Sequence, residues 1–174
     1  MKYLIPTLIL LLLLACWAPI AGQGERTSPQ AIAGRFYRTY LKLNVRGLPN
    51  EKELKALSPF LSGDLQQLFN DARSTQQKYI REHPDDKPPW IEGNLFTSLF
   101  EGANSFRLGA PRIKGTRAEV PVFLAYRGGG STSRWSDVLV LTRTRDGWRV
   151  WDILLQGDWA FKSGASLRSI LTSD

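Results

Sequence analysis

The chain has 174 residues, with 23 Lys and Arg against 16 Asp and Glu, one His, one Cys and a net charge of +7. That length suits one ordinary domain with a real core, and a lone cysteine excludes an internal disulfide. The positive charge is mixed with acids instead of forming a basic stripe with exposed aromatics. This argues against nucleic acid and leaves room for weak attraction to an anionic membrane or cell-wall polymer.

Lys2 followed by Leu4, Ile5 and the run Leu8 to Leu14 has the charged start and apolar core of an export signal over residues 1–22. Three fates compete. Leu13-Leu14-Ala15 before Cys16 resembles the lipobox of bacterial lipoproteins, which would make Cys16 the lipidated N-terminus and membrane anchor. Cleavage after Ile20-Ala21-Gly22 would release the chain. The uncharged stretch from Tyr3 to Gly24 is also long enough to span a bilayer uncut. Each reading places the domain outside the cytoplasm, on the periplasmic side of the envelope.

Residues 23–27 form a short polar tether, and the domain occupies 28–174. Ser28 and Pro29 start a helix carrying Ile32, Phe36, Tyr40 and Leu43 on one face, which Gly47 and Pro49 end. Asn50 and Glu53 form a capping box for a second helix with Leu54 and Leu57. Ser58-Pro59 opens a third, whose stripe is Leu61, Leu65, Leu68, Phe69 and Ala72. The proline-rich run from His83 to Pro89 is a loop.

Beyond Glu92 to Gly102, a segment with no clear period, the spacing becomes alternating. Strands are expected over Ser105 to Arg112, Arg117 to Arg127, Arg134 to Thr144 and Trp148 to Gln156, with Asp146-Gly147 as a hairpin turn and Pro121 marking an edge or bulge. Gly128 to Thr132 reads as a hairpin tip, since no lysine follows the glycines as a phosphate loop requires. A short helix with Leu167, Ile170 and Leu171 closes the chain. The class is therefore α+β, with N-terminal helices packed on a curved antiparallel sheet of about four strands.

Two stretches carry a resemblance: Glu92-Gly93-Asn94-Leu95-Phe96-Thr97-Ser98-Leu99-Phe100-Glu101-Gly102, and Asp146-Gly147-Trp148-Arg149-Val150-Trp151-Asp152-Ile153. They are similar to a bacterial family of exported domains of unknown function in the nuclear-transport-factor-2-like (cystatin-like) superfamily. The resemblance covers most of Ser28 to Leu171. It implies a conical fold with a pocket at its open end, and a homodimer through the sheet face with Trp135 and Trp151 at the interface. Members often carry an aspartate where Asn94 stands, so chemistry resting on that carboxylate is in question here. The superfamily spans isomerases, dehydratases, transport factors and domains without a reaction, so no activity follows from it.

The candidate acids are Asp152, which alternation puts on one face with Trp148, Val150 and Leu154, and Asp137, between Trp135 and Leu139. An apolar cavity wall would make either a usable acid or base; pairing with Arg127, Arg143 or Arg149 would make them structural. Tyr37, Tyr40 and Trp148 could line a ligand pocket or simply fill the core. His83 stands alone in its loop, so no metal is expected, and nothing calls for a cofactor. The expected function is an exported, membrane-tethered, non-enzymatic binding or accessory domain of the bacterial envelope, holding a small apolar ligand or a protein partner. The alternative is a cavity enzyme of isomerase or dehydratase type working through Asp152 or Asp137.

Overall fold

The computed structural model describes residues 27–159 and 164–173. The expected export signal and Cys16 lie outside these residues, and among those described no helix is long and apolar enough to cross a membrane. Helix α1 spans Pro29–Leu43, with the Ser28 side chain accepting from the Ala31 amide at 3.1 Å and Asn44 closing it in a left-handed conformation. Helix α2, Glu51–Leu57, carries the expected capping box between Asn50 and Glu53. Ser58-Pro59 does not open the third helix. It forms a single 3-10 turn, Ser58–Phe60, and α3 runs Gly63–Glu82 under a cap at Ser62 in place of Ser58.

Five antiparallel strands follow: β1 Ser105–Leu108, β2 Arg112–Lys114, β3 Arg117–Gly128, β4 Ser131–Thr144 and β5 Gly147–Leu154. The expected first strand is broken in two at Gly109 to Pro111, and both pieces pair with the same side of β3. Pro121 therefore occupies a central strand, not an edge or a bulge. Its carbonyl accepts from the Gly109 amide at 2.8 Å, so its nitrogen faces the gap between β1 and β2, where no ladder bond is lost. Gly129 and Gly130, at φ +57° and +77°, form the two-residue turn between β3 and β4. A register shift between Val140 and Leu141 puts a bulge in the β4–β5 pairing.

One face of this open sheet is covered. Ile32, Phe36, Tyr37 and Tyr40 of α1 and Leu65, Phe69 and Ala72 of α3 meet Val120, Val122, Leu139, Leu141, Val150 and Ile153 in a single core. Each large side chain buried there contributes about 1.5–3 kcal/mol. Helix α4, Leu167–Thr172, closes the β5 edge, where Leu61 bridges Val150.

A polar clamp holds α3, β5 and α4 together. The Asp64 carboxylate accepts from the Trp151 indole at 2.9 Å and from Arg168 at 3.0 Å, while Arg168 lies 4.6 Å from the centre of the Trp151 ring and Arg117 lies 3.8 Å from it. Partial burial pushes the Asp64 carboxyl up, but the Ser62 hydroxyl, the Arg168 charge and the indole N–H outweigh it and hold it below its ordinary 3.8. A lowered folded-state value means that the clamp's stabilisation is complete above about pH 4 and fades as pH falls from there. Thermal midpoints measured across the acid range should therefore fall less steeply for Asp64→Asn than for the native chain; identical acid limbs would show that Asp64 does not couple folding to protons.

Candidate functional site

The segment Gly93 to Leu99, which has no regular structure, is buried along its whole length. Irregular backbone in a core must find side-chain partners for its polar groups. Asn94 serves its start: its amide nitrogen donates to the Val45 carbonyl at 3.1 Å and its oxygen accepts from the Phe96 amide at 3.0 Å. The position noted for a family carboxylate is thus held here by a loop-organising amide. Tyr37 donates to the Phe96 carbonyl at 3.5 Å.

Asp137 serves the end of the segment. It is fully buried. One carboxylate oxygen accepts from the Ser98 hydroxyl and from the Gln156 amide at 2.9 Å; the other accepts from the Ser98 amide at 3.0 Å and the Trp135 indole at 3.1 Å. The Ser98 hydroxyl in turn accepts from the Gly157 amide at 2.9 Å. A carboxylate has about four acceptor sites, and four protein donors fill them. No arginine takes part. Asp137 has the apolar setting that sequence alternation suggested, with its acceptor sites spent on holding a loop against β4 and the residues after β5.

Asp152 stands elsewhere. The bulge inverts the alternation, so that Asp152 pairs with Val140 and Ile153 takes the inward position opposite Leu139. The expected common face with Trp148 and Val150 is therefore corrected. Asp152 is buried at the β5 edge, where one oxygen accepts from the Ile153 amide at 2.8 Å and the Arg168 amide at 3.0 Å, in the first turn of α4.

Tyr37, Tyr40 and Trp148 are all buried in the core. Tyr37 and Tyr40 pack edge-on at 6.0 Å, and Tyr40 lies 5.4 Å from Phe96. Burial, with Asp137 nearby, pushes the Tyr37 hydroxyl well above the usual tyrosine range. Burial raises Tyr40 to about 12, against hydrogen bonds from the Ala103 backbone, Asn94 and Thr97 that partly offset it. Trp135 is also an inward ring, set edge-on to Trp159 at 5.3 Å. Trp151 is half-buried on the opposite face. Among the described residues no group of His, Cys, Asp and Glu could hold a metal, and His83 is exposed beside Asp86 at 3.7 Å.

What the sequence reading missed lies on the uncovered face of the sheet. Cross-strand register puts Arg107, Arg112, Lys114, Arg117, Arg127 and Arg134 on it, all exposed, with Arg149 half-buried beside them. Among the described strand residues, Glu119 is the exposed carboxylate of that face. Two open grooves run along it. One, of about 580 Å³, is bounded by Arg107, Arg127, Arg134 and Phe123; the other, of about 440 Å³, by Arg112, Ile113, Lys114, Arg117 and Glu119. Charges that look interspersed along the chain are sorted by the sheet onto one side. The signal was present in the odd-numbered positions of β3, but only pairing with β1, β2 and β4 joins them to the other cations.

These placements have measurable consequences. Asp137→Asn turns one acceptor oxygen into an NH2 group that opposes at least one N–H donor and should cost about 3 kcal/mol of folding stability, with Ser98→Ala costing about 1–3 kcal/mol. Equilibrium urea unfolding decides this, and a near-neutral Asp137→Asn would refute the structural role. Raised tyrosine values mean stabilisation that is present below about pH 10 and lost as pH climbs through the folded-state values. In an alkaline absorbance titration, Tyr40→Phe should remove no phenolate signal until the domain unfolds.

The chain matches no protein-family model, and no curated protein sequence aligns with it significantly. Among solved structures it is similar to the solution structure of a SEC-C motif containing protein from Rhodopseudomonas palustris. The two are 15% identical over 74% of this chain and 79% of that chain, with a TM-score of 0.44, a likeness that assigns neither family nor activity.

Proposed function

We propose that this chain is an exported, membrane-tethered binding domain of the bacterial envelope, non-enzymatic, which presents the outer face of its sheet to an anionic partner. The observation that carries this reading is the sorting of charge: exposed Arg and Lys side chains line one sheet face from Arg117 to Arg127, a run of about 34 Å, with Glu119 among them. Export and tethering come from the apolar Leu8 to Leu14 run and from Cys16. The conical, nuclear-transport-factor-2-like shape is part of the same reading, supported by helices laid on one face of an antiparallel sheet.

A small apolar ligand held inside the cone has less support, because Phe36, Tyr37, Tyr40, Phe69 and Phe96 fill the space between helix and sheet with ring against ring. The isomerase-type alternative would need Asp137 or Asp152 to give up backbone amides on which buried segments depend.

The test uses the full chain with a C-terminal tag in a bacterial host. It should fractionate with the envelope, and its mature N-terminal mass should report lipid on Cys16 or a retained leader. A photo-crosslinking residue at Thr142, which pairs with Arg117 and Arg149 on the basic side, should form adducts that the same residue at Ile80 of α3 does not. Cytosolic recovery with Met1 intact would overturn export, and equal or absent adducts would overturn the binding face.

A further inference from the structure

The outer face has one place where cations, hydroxyls and an exposed ring converge. Arg107 pairs across β1–β3 with Phe123, and Arg134 pairs across β3–β4 with Ala125. Strand spacing and rise then set Arg107 and Arg134 about 12 Å apart at Cα, and Arg127 about 8 Å from Arg134. Both separations lie within the combined reach of two extended arginine side chains. The groove they bound holds about 580 Å³, is lined also by Ser105 and Ser136, and has no carboxylate in its walls. Among the described residues none of the three arginines makes a salt bridge.

Planar guanidinium forks match the oxygens of a phosphate, and hydroxyls add donors. Phe123, 41% exposed with Arg107 at 4.3 Å over its ring, sets an apolar surface beside them. A second copy of the chain is a poor occupant, because a two-fold contact would set this cationic face against itself.

The start of the fold points to the source of the phosphate. Gln30, at the opening of α1, donates to the Gly109 carbonyl at 3.2 Å, so the chain enters the fold at the β1 edge, beside the groove. From Cys16 to Thr27 the chain can span at most about 40 Å. An anchor at or before Cys16 therefore keeps this edge close to a bilayer.

We propose that the groove between Arg107, Arg127 and Arg134 binds the phosphate of an anionic phospholipid headgroup, drawing the outer sheet face onto the membrane that tethers the chain. The proposal rests on the tethered binding reading above and names its ligand chemistry.

The test reconstitutes the full chain in nanodiscs of phosphatidylcholine, with or without phosphatidylglycerol, and follows arginine modification by phenylglyoxal with mass spectrometry. Phosphatidylglycerol should slow labelling of Arg107, Arg127 and Arg134 about tenfold, while Arg81 on α3 is unaffected. The variant Arg127→Gln/Arg134→Gln should leave Arg107 equally reactive in both discs. Equal protection by oleate-containing discs would overturn the proposal in favour of charge alone. Protection in phosphatidylcholine discs by inorganic phosphate, by an oligonucleotide or by a higher protein concentration would overturn it in favour of a free anion, nucleic acid or a second copy. No protection by phosphatidylglycerol would also overturn it, while the N-terminal mass and the Thr142 adducts would judge the broader reading separately.

Discussion

The fold depends on satisfying a stretch of irregular backbone inside its core. Residues 93–99 pass between the helices and the sheet without the hydrogen-bond ladder of either, and each buried amide or carbonyl left there unpaired would cost about 1–3 kcal/mol. Asn94 and Asp137 supply what secondary structure does not. Asp137 does most, since one side chain on β4 ties down Ser98, Trp135 and Gln156 at once. A buried charge without a counter-cation is tolerable because four N–H and O–H donors replace its hydration. Buried side-chain polar atoms without a partner are absent among the described residues.

The same arrangement is the ground on which a role for the outer face is proposed. A core filled by Tyr37, Tyr40 and Phe96, with its acids spent on structure, leaves little inside to bind or react. The sheet, however, has two faces with opposite characters. Alternation along β3 sends Ala118, Val120, Val122 and Leu124 inward and Arg117, Glu119, Phe123 and Arg127 outward. Antiparallel register then adds the outward residues of β1, β2 and β4 to the same side. Strands about 4.8 Å apart bring cations remote in sequence within one or two screening lengths of each other. Among the described residues no exposed carboxylate cluster opposes them, so the face acts as a positive field with an apolar ring in it, the property on which both the proposed binding role and the proposed headgroup site rest.

Periodicity and caps, which depend on neighbours within a few residues, were legible in the sequence: the α+β order, the Ser28 and Asn50 caps, the Gly129-Gly130 turn and the inward face of β3, while the turn expected at Asp146-Gly147 falls one residue earlier, at Arg145 and Asp146, with Gly147 opening β5. Such signals are local energies, and local energies survive in any context that does not oppose them. Three readings failed where a partner distant in sequence decided. Pro121 is compatible with a central strand only because the neighbouring strand breaks opposite it. Asp152 left the Trp148 face because a bulge against β4 shifted the register by one. Ser58-Pro59 turned in a 3-10 helix, and α3 waited for the Ser62 cap, whose own amide bonds to Val150. The positive charge was countable from composition, and its gathering on one face was not. By itself, then, the sequence determined the α+β order, the Ser28 and Asn50 caps and the inward face of β3. Only the tertiary structure decided that Asp137 is a scaffold and that Arg107, Arg127 and Arg134 form one groove, because both follow from cross-strand register and from burial that unites residues far apart in the chain.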